Sequence, residues 1–408
     1  MSILRAMKKC NLTFFEFIQQ NLNADPQSLR LSLKKENFDF DIEDAVNQIE
    51  CRKKNATKLK RFIHSPIFLF PDMISGEQSS HQAVAVYHSS IVEKTDSILD
   101  MTAGLGIDAM TFALKGSKVT AIEIDSKKVD TLKKNISSLG LKNFDVINTD
   151  SIEFLKSHDN YFGVIYIDPA RRDSSLKRVY NLRDCSPDVI ENQDLLVSKA
   201  DRILIKASPL LDITQTIKDF NNLISIRAIG VKGECKELLI EISSKKENQE
   251  LKIGAINLDN DGNVINQFWE AYNPYSEEKQ NKQVSFAGMG EILPGNFLLE
   301  PSSMIMKISP WSTICEKYIA KKLGKSSNLF VSSSFPENFP GRITKIEKII
   351  KKQDRKSFAG FPASVVSRNY PLSSEEIRKS FKLKEGDDKF IYASRLGEKP
   401  IMILTEKI

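Results

Sequence analysis

A chain of 408 residues with 41% hydrophobic and 27% charged side chains has the composition of a soluble globular protein with room for two or three domain cores. Its net charge of +6 permits a nucleic-acid partner without requiring one. Cys10, Cys51, Cys185, Cys235 and Cys315 are too scattered for a zinc site or a disulfide framework, and no stretch reads as a signal peptide or membrane span, so a cytoplasmic chain with reduced thiols, no metal and no membrane partner is expected.

Residues 1 to about 75 are expected to be helical. Thr13-Phe14-Phe15-Glu16-Phe17-Ile18 forms one amphipathic piece and Asp41 to Lys60 another, in which Ile42, Ala45, Val46 and Ile49 recur at helical spacing. Behind them lies a basic cluster of Arg52, Lys53, Lys54, Lys58, Lys60 and Arg61, either a solvated face of a packed cap or a surface turned to RNA. Gly76-Glu77-Gln78-Ser79-Ser80 reads as a polar turn opening a helix from His81 to Val92. Ile98 to Met101 is then a strand, Thr102-Ala103-Gly104-Leu105-Gly106 a turn, Asp108 to Lys115 a helix closed by Gly116, and Val119 to Ile122 a strand with Glu123 at its carboxyl end. Phe144 to Ile147 and Val164 to Ile167 are the third and fourth strands. The polar stretch from Arg171 to Asp188 has the length of a substrate-covering loop. A helix from Val189 to Lys199, a strand from Arg202 to Lys206, a helix from Leu210 to Phe220 and strands at Ile224 to Val231 and Glu237 to Ser243 complete a core of about 95–243.

Beyond Lys245 the composition shifts. Ile253 to Leu258, Asn260-Asp261-Gly262 and Val264 to Ala271 read as a hairpin, and Asn273 to Gly290 as a linker. Phe297 to Pro301 leads to a helix near Thr313 to Lys322. Arg342, Lys345, Lys348, Lys351, Lys352, Arg355 and Lys356 make a basic run that can track a phosphate backbone or form a solvated helix face. A helix over Ser374 to Phe381 and strands at Lys389 to Ser394 and Lys399 to Leu404 end the chain.

Gly104-x-Gly106-x-x-Ala109 fits a dinucleotide fingerprint in form, but Asp108 places negative charge where a pyrophosphate would rest on the helix N-terminus, and Asp100 adds another carboxylate at the turn. A cation without phosphates suits those acids better, and Glu123 can accept both hydroxyls of a ribose. With the acid of Asp100, the glycine turn, Glu123, Asp150 and Asp168-Pro169-Ala170-Arg171 in this order, the chain resembles class I methyltransferases. The resemblance implies S-adenosylmethionine as cofactor, bound by Gln78, Ser79, Asp100, Thr102, Gly104, Gly106, Asp108, Glu123, Ile124, Asp150, Ser151 and Asp168. Asp168, Pro169, Arg171 and Lys206 are the expected catalytic group.

Across nearly its whole length the chain also resembles one bacterial family with a class I methyltransferase core, a small ferredoxin-like insert and a THUMP-like C-terminal domain. Glu77-Gln78-Ser79-Ser80, Lys206-Ala207-Ser208-Pro209, Leu299-Glu300-Pro301, Phe339-Pro340-Gly341-Arg342 and Arg368-Asn369-Tyr370-Pro371 carry that likeness. It implies an α/β fold with a Rossmann-like, seven-stranded core, an N-terminal helical region and α+β C-terminal domains. The expected divisions are 1–75, 76–244, 245–324 and 325–408, and the implied activity is methylation of RNA. The D-P-A-R form departs from the D-P-P-aromatic segment of base amino-methyltransferases. No thiol follows the next strand, which disfavours methylation at carbon. Three readings follow: a methyltransferase acting on a base nitrogen, foremost the exocyclic amine of guanine; a ribose 2′-O methyltransferase using Asp168, Lys206 and Glu237 or Glu241; or a cofactor-binding RNA-associated protein without turnover.

Overall fold

The computed structural model describes residues 12–33, 38–171, 181–245, 250–272 and 283–408. Cys10, the part of the polar stretch at 172–180 and residues 273–282 of the expected linker lie outside them. The chain divides into two compact units, one of 1–224, 237–249 and 258–264, the other of 225–236, 250–257 and 265–408. No helix among the described residues is long and apolar enough to cross a membrane.

The first unit begins with helices Phe14–Gln20, Pro26–Leu33 and Ile42–Lys54. Thr13 and Glu16 form a capping box that starts the first of them. Phe17, Ile18, Leu29, Leu33, Ala45, Val46 and Ile49 fill their common core. The basic cluster behind them is largely spent internally. Arg52 is 3% exposed and donates to the carbonyls of Ile63, Ser65, Pro66 and Phe68. Lys53 reaches the Ala24 carbonyl, and Lys58 those of Gly76 and Glu77.

Strands β1 (Ser97–Asp100), β2 (Lys118–Glu123), β3 (Phe144–Asn148) and β4 (Phe162–Ile167) form where short apolar runs were read. A small antiparallel pair, β5 (Ala170–Arg171) and β6 (Cys185–Ser186), follows β4. Then come β7 (Ala200–Ala207), β8 (Leu223–Val231) and β9 (Glu234–Ser243), which complete the seven longer strands. Within the first unit the sheet order is β3-β2-β1-β4-β7-β9. Its strands are parallel except β9, which runs antiparallel to β7. The order reverses between β1 and β4, so the crevice at their carboxyl ends is the switch point where this architecture binds ligands. Helix Ser126–Ser138 backs the glycine turn through Leu132, and its Asn135 exchanges hydrogen bonds with the backbone N–H and carbonyl of Leu69.

Several local expectations are corrected. Gly76, Glu77 and Gln78 are not a turn but the last residues of helix Met73–Gln78, started by Asp72, whose carboxylate accepts from the Ser75 N–H. The next helix is Gln82–Ser90. The expected helices at 189–199 and 210–220 are shorter, Gln193–Lys199 and Ile213–Asp219, the latter capped by Asp212.

The second unit contains β10 (Leu251–Leu258), β11 (Val264–Tyr272) and a seven-stranded sheet of β12 (Phe297–Pro301), β13 (Ala320–Gly324), β14 (Ser327–Ser332), β15 (Gly341–Ile349), β16 (Ser364–Ser367), β17 (Lys389–Leu396) and β18 (Lys399–Lys407). Its order is β13-β14-β12-β15-β18-β17-β16. The helix expected to reach Lys322 ends at Lys317. Ile319 takes a left-handed conformation, and residues from Ala320 pair with β14 instead. The basic run is not one helix face: 341–349 is strand β15, with Thr344 and Ile346 turned inward, and only Lys352–Phe358 winds into a 3-10 helix.

Arg52 generates a stability prediction. R52A removes the Arg52 donor from the buried Phe68 carbonyl and from the part-buried carbonyls of Ile63 and Pro66, and should lower unfolding stability by about 3 kcal/mol or more. Paired K60A and R61A changes at exposed positions should alter it by less than about 0.5 kcal/mol. Urea denaturation of the three proteins checks both.

Candidate active site

The turn after β1 is built around its two glycines. Gly104 and Gly106 have φ values of +54° and +82°, and a Cβ on Gly106 would lie 2.3 Å from Leu132 Cδ1. Gly104 N–H donates to Glu123 Oε2 at 2.8 Å, and Asp125 N–H to Glu123 Oε1 at 2.9 Å, which fixes the carboxylate at the end of β2. Ile124 beside it is 71% exposed, an apolar side chain left open at a strand end. Asp100 ends β1 and accepts the Thr102 N–H at 3.0 Å. Thr102 Oγ1 in turn accepts the Asp168 N–H at 2.7 Å, linking the exits of β1 and β4.

Asp100 is 2% exposed. Burial, joined by the carboxylates of Asp108, Asp168 and Glu123, pushes its carboxyl well above the usual range against the lowering effect of the Thr102 N–H. The mouth of the crevice thus gathers negative charge that a bound cation would relieve. Asp150 caps helix Ser151–Ser157 by accepting from the N–H groups of Ile152 and Glu153 at 2.9 and 3.0 Å; it is exposed, and Ser151 is buried.

A chain of polar side chains runs inward from Asp168. Lys206 Nζ lies 2.6 Å from Asp168 Oδ2 and donates to Ser80 Oγ at 2.9 Å. Ser80 Oγ donates to Asp108 Oδ2. Asp108 Oδ1 is 2.9 Å from His88 Nδ1, and His88 Nε2 is 2.7 Å from Glu237 Oε1. Ser80, Asp108, His88 and Glu237 are all buried, whereas the Asp168 side chain is 37% exposed.

Burial alone would lower the basicity of His88, but Glu237 and Asp108 outweigh it and raise the imidazole to about 9. Asp108 is driven the other way. Burial, its largest influence, raises it, but the bonds and charge of His88, with Lys206 and Ser80, hold it below the usual range. Lys206 is likewise raised above its ordinary value because Asp168, Glu237 and Asp108 overcome burial. It is therefore an ammonium that holds Asp168 in place.

The structure brings Asp100, Thr102, Asp108, Asp168 and Lys206 together. Both Asp108 oxygens are taken up by Ser80 and His88. Ser79 donates its hydroxyl to the Gly76 carbonyl at 2.9 Å, and Gln78 is exposed at its helix end. Pro169 and Ala170 lead into β5, and the Arg171 backbone pairs there with Cys185. Glu237 joins the network, whereas Glu241 is bound by Arg202 at 2.6 Å. Ser80 and His88 escaped the reading of the sequence as site residues. Each sits on an apolar or polar stretch with no local partner, and the residues that give them a role are 28 and 149 positions away in Asp108 and Glu237.

Residues 86–210 match the family described as conserved hypothetical protein 95, 297–340 a ferredoxin-like domain and 341–407 a THUMP domain-like family. A crystal structure of a candidate methyltransferase from Porphyromonas gingivalis W83 covers 97% of this chain and 97% of its own, at 25% identity and a TM-score of 0.81. The chain has the class I methyltransferase fold with a THUMP-like C-terminal domain. The core is 37% identical over 93 residues to ribosomal RNA small subunit methyltransferase D of Buchnera aphidicola, which is 22% of this chain and 48% of that one. It is 36% identical over 81 residues to ribosomal RNA small subunit methyltransferase J of Francisella tularensis, 18% of this chain and 34% of that one. The chain thus spans less than half the length of these two relatives.

The raised imidazole of His88 sets a pH dependence for the methyltransferase core. Its folded-state value of about 9 exceeds the ordinary 6.5, so its contribution is complete below about pH 6.5 and is lost as pH rises through about 9. Two and a half units correspond to roughly 3 kcal/mol. The stability gap between wild type and H88Q, measured by denaturant unfolding from pH 6 to 10, should shrink as pH rises.

Proposed function

We propose that this chain transfers a methyl group from S-adenosylmethionine to RNA, at a base nitrogen and foremost at an exocyclic amine of guanine. The observation that carries the reading is the ring of carboxylates from Asp100, Glu123 and Asp168 around a two-glycine turn at the switch point. That donor set fits the cofactor. Glu123, fixed by two backbone N–H groups, keeps lone pairs for ribose hydroxyls. Ile124 offers an apolar face to the adenine, and the buried acid of Asp100 suits the positive methionine end. Gln78, Ser79, Thr102, Asp108, Asp150 and Ser151 remain in the proposed binding region, Asp108 acting through Ser80 and His88.

When bound, the cofactor supplies an electrophilic methyl group. The chain's own work is to present a nucleophile to it. Asp168 is open enough to accept a hydrogen from an incoming amine and so aim the nitrogen lone pair. Lys206 fixes the carboxylate from behind, and the Thr102 hydroxyl fixes its backbone. Pro169 restricts the turn, and Arg171 stands at the start of the same hairpin.

The small-subunit ribosomal RNA methyltransferases that resemble the core support RNA as the substrate class. The ribose reading would have Lys206 help remove a hydroxyl proton. Three carboxylates that raise its basicity argue against that role.

Calorimetric titration with S-adenosylmethionine followed by tritium transfer to total RNA and nucleoside analysis tests the proposal. A base-methylated nucleoside is expected; a ribose-methylated one, or binding without transfer, would refute it. D168A should lower transfer about a hundredfold or more. E123A should weaken cofactor binding about tenfold or more through the lost charge-assisted hydrogen bonds.

A further inference from the structure

Three motifs that methyl transfer leaves without a role converge in the second unit. They are Leu299-Glu300-Pro301, Phe339-Pro340-Gly341-Arg342 and Arg368-Asn369-Tyr370-Pro371. Glu300 on β12 is directly opposite Arg342 on β15. A Cβ on Gly341 would lie 2.2 Å from the Glu300 carbonyl oxygen, so only glycine lets the two strands close at that point. Arg342 NH1 is 3.4 Å from Glu300 Oε2, and Arg368 NH2 is 3.1 Å from Glu300 Oε1.

Each part is held in place. Tyr392 donates its hydroxyl to Glu300 Oε2 at 3.1 Å. The Arg342 guanidinium lies 4.8 Å from the centre of the Phe390 ring. Arg368 N–H donates to the Ala393 carbonyl at 2.8 Å, and Arg395 Nε holds the Asn369 carbonyl of the same turn at 3.2 Å. The Glu300 side chain is 11% exposed, whereas those of Arg342 and Arg368 are 49% and 48% exposed. One sheltered carboxylate thus orients two guanidiniums whose side chains stay about half exposed.

Two cations against one anion leave a net positive charge, and their mutual repulsion is only half answered by Glu300. A second anion on the open side would complete the balance. We propose that Arg342 and Arg368, set by Glu300, form a binding site for a phosphodiester of the RNA substrate. This rests on RNA being the substrate, as argued above. Planar forks held in fixed orientation match phosphate oxygens better than lysines do. The site also replaces the linear basic track expected over 342–356. There Arg355 Nε is bound to the Ser380 carbonyl, and Lys348 lies over the Phe358 ring.

The test uses the full chain and a labelled transcript of small-subunit ribosomal RNA, with affinity measured by anisotropy across a salt series. S-adenosylmethionine titration and thermal unfolding are run on each protein. R342A and R368A should each weaken RNA binding about tenfold, flatten the dependence on log salt by about one, and leave cofactor affinity unchanged. E300Q removes the neutralising charge that the two arginines share and should tighten RNA binding severalfold even if it lowers the melting temperature.

If an alanine variant melts early, R368K carries the comparison; with its charge kept and its fork lost, it should bind more weakly at an unchanged salt slope. Wild-type affinity in R342A and R368A, or an E300Q protein that loses only thermal stability, overturns the site while leaving the RNA reading intact. No binding of the transcript by the wild type overturns both. Weaker binding of polyglutamate but not of RNA in the arginine variants assigns the fork to an acidic protein and overturns the proposal.

Discussion

The core is strung on one buried line of alternating charge: Asp168, Lys206, Ser80, Asp108, His88, Glu237. Its members come from separate places in the chain, including the exit of β4, the last turn of helix Gln82–Ser90, the first turn of helix Ile107–Lys115 and strands β7 and β9. Each buried ion is tolerable only because the next one answers it. The line therefore acts as a set of fasteners, and it ends at the one carboxylate that faces outward. Formally it holds three anions and two cations, a net charge of −1. Glu123 stands at the same crevice, held by the N–H groups of Gly104 and Asp125.

The same alternation explains how a buried lysine stays charged beside Asp168. Lys206 faces three acids and keeps its proton. Its service is to remove the freedom of Asp168, while the Thr102 hydroxyl does so from the backbone side. Orientation is thereby built into the resting protein.

Much of the architecture was legible in the sequence, and the reasons are local. Strands β1 to β4 are apolar runs bounded by acids or glycine, and helix Ser374–Phe381 announces itself by the Ser373–Glu376 capping box. Asp168 and Lys206 were legible because each ends a strand. Ser80 and His88 were not, because their meaning lies in partners far along the chain. The basic residues of 342–356 misled in another way. Their spacing of three imitates a helix face, while the inward alternation of Thr344 and Ile346 that makes β15 a strand is carried by only a few side chains. Arg52 looked like surface because its composition is charged; only the fold shows it satisfying the carbonyls of a loop.

That loop leads to Leu69, whose backbone is clasped by Asn135, and one turn earlier on the same helix Leu132 closes against Gly106. The glycine turn is therefore backed by a helix that is itself tied to the residues ahead of the core. The N-terminal helices are part of the foundation on which the crevice stands. A lineage that shed or exchanged them would have to rebuild that footing before its glycines could take their shape again.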